Sequence, residues 1–122
     1  MSGKIEKLQL ELSNLEEKLP GYKGAVVVSI EGLLMASKIN ATCEKNILGA
    51  LGTALFAVGR RVSDESKNGE LKKVYLDGES GDIVVFSAGA NALLVAMFES
   101  EKNISTAFKI LETTAHKIKE VV

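Results

Sequence analysis

The apolar positions of this chain follow two rhythms. Between Lys4 and Leu19, Ile5, Leu8, Leu12, Leu15 and Leu19 recur at alternating spacings of three and four, with Glu and Lys on the other faces. That period puts them on one stripe of an amphipathic helix. Pro20-Gly21 ends it, because a proline disfavours the helical conformation in the residue before it. Gly24 to Ile30 then reads as a strand, apolar at each of Ala25, Val26, Val27 and Val28, and such a strand predicts cover on both faces. Glu31-Gly32 predicts a turn, with glycine free to take positive φ. Leu33 to Lys38 predicts the return strand.

Glu44 to about Ser63 predicts a second helix, with Thr42 or Asn40 as its cap. Two stripes run along it. One is large and apolar: Leu48, Leu51, Leu55, Val58 and Val62. The other is mostly small: Gly49, Gly52, Phe56 and Gly59. Glycines inside a helix cost roughly 1 kcal/mol each relative to alanine, which implies that something packs closely against them. A helix apolar over most of its circumference predicts burial on more than one side. After the charged loop Ser63 to Glu70 come three strand-like runs, Leu71 to Asp77, Asp82 to Ala88 and Ala92 to Phe98, separated by the turns "GESGD" and "SAGAN". Ile104 to Val122 closes the chain as an amphipathic helix with the stripe Ile104, Phe108, Leu111, Ala115, Ile118 and Val122, and Asn103 as N-cap.

The element order is helix, two strands, helix, three strands, helix, in one domain over residues 1–122. Hairpin connections pair the first strand with the second, the third with the fourth and the fourth with the fifth. The first, fourth and fifth strands are apolar on both faces and belong inside the sheet; the second and third are mixed and belong at its edges. Joining strand one to strand five satisfies both conditions. The prediction is an α/β fold with a five-stranded antiparallel sheet, order 2-1-5-4-3, and helices on both faces.

Composition narrows the function classes. Hydrophobic residues make up 46% and charged residues 25% of the 122 positions, the balance of a soluble globular protein rather than a disordered one. Aromatics are 5%, with no Trp, and the net charge is −1 with no dense Lys/Arg block. These values argue against a stacking or phosphate-binding nucleic-acid surface. The single cysteine, Cys43, permits no internal disulfide and suits a reducing compartment. The N-terminal segment lacks the continuous apolar stretch of a secretory signal. The longest apolar run, Ala92 to Phe98, is far short of the ~20 residues that span a bilayer. A cytoplasmic location without membrane insertion is expected.

The search for chemistry returns little. His116, the only histidine, lies one position off the last stripe and has no identifiable orienting group. Cys43 precedes a helix, where a thiolate is favoured, but no second Cys or base accompanies it. Asp64 and Glu65, and Asp77, Glu79 and Asp82 around a turn, match no calcium loop. Neither "GESGD" nor "SAGAN" leads into a helix with Lys, as a phosphate loop would. Arg60 and Arg61 could act in trans on a phosphoryl-transfer site; basic residues near a helix C-terminus also complement its dipole, the reading favoured here. No catalytic, metal or cofactor site is expected. What remains are two surfaces for another chain, the glycine-striped helix and the edge strand that carries Lys72 and Lys73.

In "LPGYKGAVVVSIEGLLMAS", the Ala/Leu/Gly helix and "GELKKVYLDGESGDIVVFSAGANALLVAMFE", the chain resembles the roadblock/dynein light chain domain family over essentially its whole length. Pro20-Gly21 before the first strand, Glu31-Gly32 after it and Gly69-Glu70 before the third carry the resemblance. It implies the same antiparallel sheet, and dimers joined through the third strands with the second helices beside the join. Lysines often guard a strand edge, so Lys72 and Lys73 stand in tension with such a join unless they sit outward on the dimer. The resemblance further implies a non-catalytic protein acting on Ras-like GTPases. The expected dimer or partner interface is therefore Gly49, Gly52, Phe56 and Gly59 with Leu48 and Leu55, together with Lys72, Val74, Tyr75 and Leu76; Arg60 and Arg61 are candidate partner contacts. The leading expectation is a homodimeric adaptor that binds and modulates a small Ras-like GTPase. The alternatives are a small-molecule sensor, for which Ser29 and Ser87 are the polar candidates, and a dynein-type cargo adaptor.

Overall fold

A computed structural model describes residues 3–40, 42–100 and 103–122. Eight elements follow one another: α1 (Lys4–Lys18), β1 (Tyr22–Ser29), β2 (Leu34–Ile39), α2 (Lys45–Glu65), β3 (Lys73–Asp77), β4 (Asp82–Ser87), β5 (Ala92–Phe98) and α3 (Ile104–Val121). The strands form one antiparallel sheet of order β2-β1-β5-β4-β3, the order predicted from hairpin pairing and two-sided burial.

The apolar run of β1 divides by parity, as a pleated strand requires. Ala25 and Val27 face α1 and α3, and join a core with Leu8, Leu12, Leu15, Leu94, Phe98, Leu111 and Ile118. Val26 and Val28 face α2 and pack with Leu48, Phe56, Val85, Leu93 and Val95. Two helices cover one face, and a single helix covers the other. Leu8, Leu12 and Leu15 are completely buried, each worth about 1.5–3 kcal/mol of transfer free energy. Ile5, which shares their spacing but lies in the first turn of α1, which begins at Lys4, remains 56% exposed.

The first hairpin is longer than expected by one residue. Ser29 N–H donates to the Leu33 carbonyl at 2.9 Å, leaving Ile30, Glu31 and Gly32 as the loop. Gly32 has φ +95°, the left-handed position that three-residue hairpins give to glycine. The second helix also departs from expectation at both ends. Its N-cap is Glu44, whose carboxylate accepts from the Asn46 and Ile47 backbone N–H groups at 3.1 and 3.0 Å; neither Thr42 nor Asn40 holds that place. It runs on to Glu65, so Arg60 and Arg61 lie more than a turn before its end and the last turn carries no basic residue. The helix-dipole account of the two arginines therefore falls away. In α3 the N-cap position is Asn103, though its side chain makes no capping bond.

Candidate interaction surface

The glycine stripe of α2 meets the sheet of its own chain. A Cβ at Gly49 would lie 2.7 Å from Val28 Cγ1, and one at Gly52 would lie 2.6 Å from Val95 Cγ2. At Gly59 it would meet Leu71 Cδ2 at 2.9 Å and Val74 Cγ2 at 3.1 Å. Gly49, Gly52, Phe56 and Leu48 are buried beneath the helix, so the expected close approach exists but its partner is β1, β5 and β3. This corrects the placement of Gly49, Gly52, Phe56, Gly59 and Leu48 on a dimer or partner interface, since all five face the sheet of their own chain. A sheet face packed with valines accepts a helix at short range only along its smallest stripe.

The rest of the large apolar stripe, all but the buried Leu48, therefore turns outward. Ile47, Leu51, Val58 and Val62 are 58%, 60%, 64% and 60% exposed, and Leu55 is half-buried. Leu51, Leu55, Val58 and Val62, spaced four, three and four, lie on one flank of α2. Val74 and Leu76 of β3, Ile83 of β4 and Met97 of β5 share the α2 face of the sheet and are likewise incompletely covered. An exposed apolar patch of this kind makes the flank of α2 a candidate interaction surface. Arg61 borders the exposed flank beside Val58, Val62 and Glu65. Arg60 points the other way, into a cleft of about 380 Å³ with Phe56, Asp64, Glu70, Leu71 and Ser87.

The two sheet edges are treated differently. Asn40 N–H donates to the Lys23 carbonyl, so by alternation Ser37 points its backbone groups away from β1. The Gln9 side chain of α1 fills that position. Its amide NH2 donates to the Ser37 carbonyl at 3.1 Å, and its oxygen accepts from Ser37 N–H at 2.9 Å. The β2 edge is thus bonded by a side chain that imitates a peptide unit. At the other edge, Ser87 N–H donates to the Lys72 carbonyl at 3.0 Å, which turns Val74 and Leu76 toward β4 and leaves the backbone groups of Lys73, Tyr75 and Asp77 facing outward. Among the described residues no helix covers them.

The side chains of β3 are drawn back from this edge. The Lys73 ammonium sits over the rings of Phe108 and Phe86, 4.8 and 5.6 Å from their centroids. Tyr75 stacks edge-on against Phe108 at 5.3 Å and donates its hydroxyl to Asp82 at 3.1 Å. Desolvation, the bond to Asp82 and the neighbouring negative charges raise the Tyr75 pKa. Lys72 precedes β3 and is exposed.

The remaining candidates are scattered. Asp82 is buried and accepts from the Tyr75 and Ser100 hydroxyls, which removes it from any solvent-facing acidic cluster. Among the described residues no group of His, Cys, Asp or Glu could hold a metal ion, and no helix is long and apolar enough to cross a membrane. His116 is exposed and pairs with Glu120 at 3.4 Å. Cys43 is half-buried against the α2-side core. Ser29 accepts from Leu33 N–H within its own turn, and Ser87 donates to the Gly89 carbonyl.

The profile of the Roadblock/LC7 domain matches residues 8–98. An uncharacterized protein of Methanocaldococcus jannaschii, MJ1340, is 30% identical over 115 residues, covering 94% of this chain and 96% of its own. The fold is similar to the gliding protein MglB of Thermus thermophilus, with TM-score 0.85 at 17% identity over 99% of this chain and 92% of that one. It is also similar to an MglB structure with a tetrameric arrangement, with TM-score 0.85 at 18% identity over 99% and 91%. On the profile match and the near full-length relative together, the chain belongs to the Roadblock/LC7 domain family.

Proposed function

We propose that the protein is a non-catalytic homodimeric adaptor that binds a small Ras-like GTPase and modulates it. The observation that carries this reading is the outward apolar stripe of α2, Leu51, Val58 and Val62, beside the unpaired edge of β3. A second copy added to that edge would continue the sheet and bring the two α2 helices side by side. The resulting platform has an apolar centre and charged ends at Glu44, Lys45 and Arg61. It can favour one conformation of a partner's switch segment, and differential affinity for two states is all that regulation requires. The fold's likeness to MglB structures, one of them in a tetrameric arrangement, supports assembly through such surfaces. The test is light scattering at low micromolar concentration, followed by calorimetry against Ras-like GTPases of the same genome loaded with GDP or a non-hydrolysable GTP analogue. Dimers that bind one nucleotide state more tightly support the proposal. A 13.0 kDa monomer, or no binding in either state, refutes it.

A small-molecule sensor is favoured by one observation, the cleft that joins Arg60, Asp64, Glu70 and Ser87 to the apolar Phe56, Leu71 and Leu93, a mixture suited to a polar ligand with an apolar part. A metabolite that raises the melting temperature of the wild type but not of Arg60→Ala would support it.

A further inference from the structure

We propose that the cleft between α2 and the β4–β5 turn binds a small zwitterion, an α-amino acid with an apolar side chain, with its carboxylate at Arg60 and its ammonium at Asp64 and Glu70. The inference rests on the sensor reading above and names its ligand class. Charge, free donors and an apolar floor converge on it.

Arg60 and Asp64 stand one turn apart on α2 and line the cleft together, while Glu70 approaches from the segment before β3. Among the described residues the ion pairs are Lys38–Glu16 and His116–Glu120. The cleft therefore holds charges of both signs, and none of the three is neutralised by a direct ion pair. Its formal balance is one guanidinium against two carboxylates. A phosphorylated ligand would bring further negative charge toward Asp64 and Glu70, where like charges repel. An α-amino acid carries its ammonium and its carboxylate on one carbon and meets both signs at once.

The turn adds donors to the guanidinium. Two of its carbonyls are engaged: Gly89 C=O accepts from the Ser87 hydroxyl at 3.1 Å, and Asn91 C=O accepts from Ile30 N–H at 3.1 Å. The N–H groups of Gly89 and Ala90 donate to no backbone carbonyl among the described residues, and both residues line the cleft. Successive free N–H groups in a turn favour an anion, and a guanidinium matches a carboxylate bidentately. The turn is braced from the other face of the sheet, where a Cβ at Gly89 would lie 2.9 Å from Lys119 Cγ of α3. The floor is apolar and fixed: Phe56 and Leu93 are buried in the α2-side core, and Leu71 packs against them. A volume of about 380 Å³ lies near the low end for small-molecule sites. Such a site suits one compact ligand whose apolar part rests on the floor and whose charged groups reach the walls.

The experiment is calorimetry on the full chain with L-leucine as the probe, beside three analogues that each lack one feature. Leucinamide lacks the carboxylate, 4-methylpentanoate the ammonium and glycine the side chain. Leucine should bind saturably with a Kd of about 1 mM or tighter, and each analogue about tenfold or more weakly. Arg60→Gln should weaken leucine about tenfold and erase its advantage over leucinamide, and Asp64→Asn combined with Glu70→Gln should erase its advantage over 4-methylpentanoate. Glu112→Gln, in the neighbouring cleft on the α3 face, should change nothing. Leucinamide as tight as leucine on the wild type overturns the zwitterion, and that comparison needs no variant to fold. Leucine undiminished by Arg60→Gln, or lost with Glu112→Gln, overturns the placement. If leucine, methionine and phenylalanine all fail to bind while a metabolite of another class raises the melting temperature of the wild type but not of Arg60→Ala, the ligand class is overturned and the sensor reading stands. If no metabolite does so, both fall.

Discussion

Leu51 and Gly52 are neighbours in sequence but lie on different faces of α2, one exposed and one against the sheet, which allows the fold and the assembly to be perturbed separately. Gly52→Leu adds a side chain where even its Cβ would lie 2.6 Å from Val95 Cγ2 and 3.2 Å from Cγ1. Val95 is fully buried on the central strand β5 and has nowhere to retreat. Overpacking of this kind costs up to about 3 kcal/mol, and the gain in helix propensity over glycine returns roughly 0.8 kcal/mol. A net loss of about 2 kcal/mol should lower the melting temperature by roughly 8 °C for a chain of this length. Leu51→Gln changes a side chain that is 60% exposed, so the isolated fold should shift by less than about 0.5 kcal/mol. In a dimer that covers it, the lost burial is about 1–2 kcal/mol, three-fifths of the value of a whole leucine. The loss is doubled by symmetry, so the dimer Kd rises roughly thirty- to several-hundred-fold. The assay is thermal unfolding at several protein concentrations together with sedimentation equilibrium, because the melting point of an associating chain depends on concentration. Gly52→Leu should melt lower at every concentration, and Leu51→Gln should lose the concentration dependence. A Gly52→Leu protein that keeps its melting point but dissociates would refute the placement of the glycine stripe. A Leu51→Gln protein that associates as the wild type does would remove the exposed flank from the interface.

Gln9→Ala frees the Ser37 backbone groups on the β2 edge, and light scattering should then detect species larger than a dimer; an unchanged mass would show that the glutamine does not limit assembly. The Glu44 cap gives a pH signature: bonds from the Asn46 and Ile47 N–H groups hold its pKa below the usual carboxylate value, so its contribution is complete above that value and vanishes as pH falls through the lowered one. The melting-temperature difference between wild type and Glu44→Ala should therefore be constant near neutrality and close under acid, and a difference that persists in acid would refute the cap. If the protein stimulates GTP hydrolysis by holding a switch segment, Arg61→Ala and Arg60→Ala should each leave stimulation within about tenfold. Loss of about 10³-fold or more with binding retained would identify an arginine that acts on the phosphoryl group itself.

The topology was legible because each strand carried its own signature of burial. Two-sided apolar runs at Ala25–Val28, Ile83–Phe86 and Ala92–Phe98 could only be interior, and the hairpins then left one order. The orientation of α2 was not legible. Its two stripes both qualify as core by periodicity, and the larger one, containing Leu51 and Val58, has the stronger claim on hydrophobicity alone. What decides between them is the shape of the surface opposite: Val28 and Val95 leave room for hydrogen atoms at Gly49 and Gly52 and for nothing more, a fact about two strands distant in sequence. The Glu44 cap was missed for a related reason. Glutamate is not among the preferred capping residues, and its longer arm reaches Asn46 and Ile47 only in the local geometry the chain adopts there. The Gln9 bonds to Ser37 span 28 positions and leave no mark on either segment.

The edges connect the fold to the proposed function. A sheet with two open edges can add copies without end, whereas one open edge closes after a single symmetric pairing. In this chain α1 supplies that asymmetry at small cost. The same helix that buries Leu8, Leu12 and Leu15 against the sheet carries Gln9 on its neighbouring face, at the level where Ser37 turns its N–H and C=O outward. The apolar stripe of α2 obeys the same logic. An exposed flank of this kind is an aggregation hazard on a monomer, but beside a single open edge the proposed dimer would cover it in one defined arrangement. Three features follow from the placement of a handful of residues: the glycines that press α2 onto the sheet, the leucines and valines that this orientation turns outward, and the glutamine that leaves β3 as the free edge. A protein among whose described residues no group of His, Cys, Asp or Glu could hold a metal ion can act on an enzyme if its assembled surface fits one state of that enzyme better than another, and in the proposed assembly α2 and β3 are where this chain would offer such a surface.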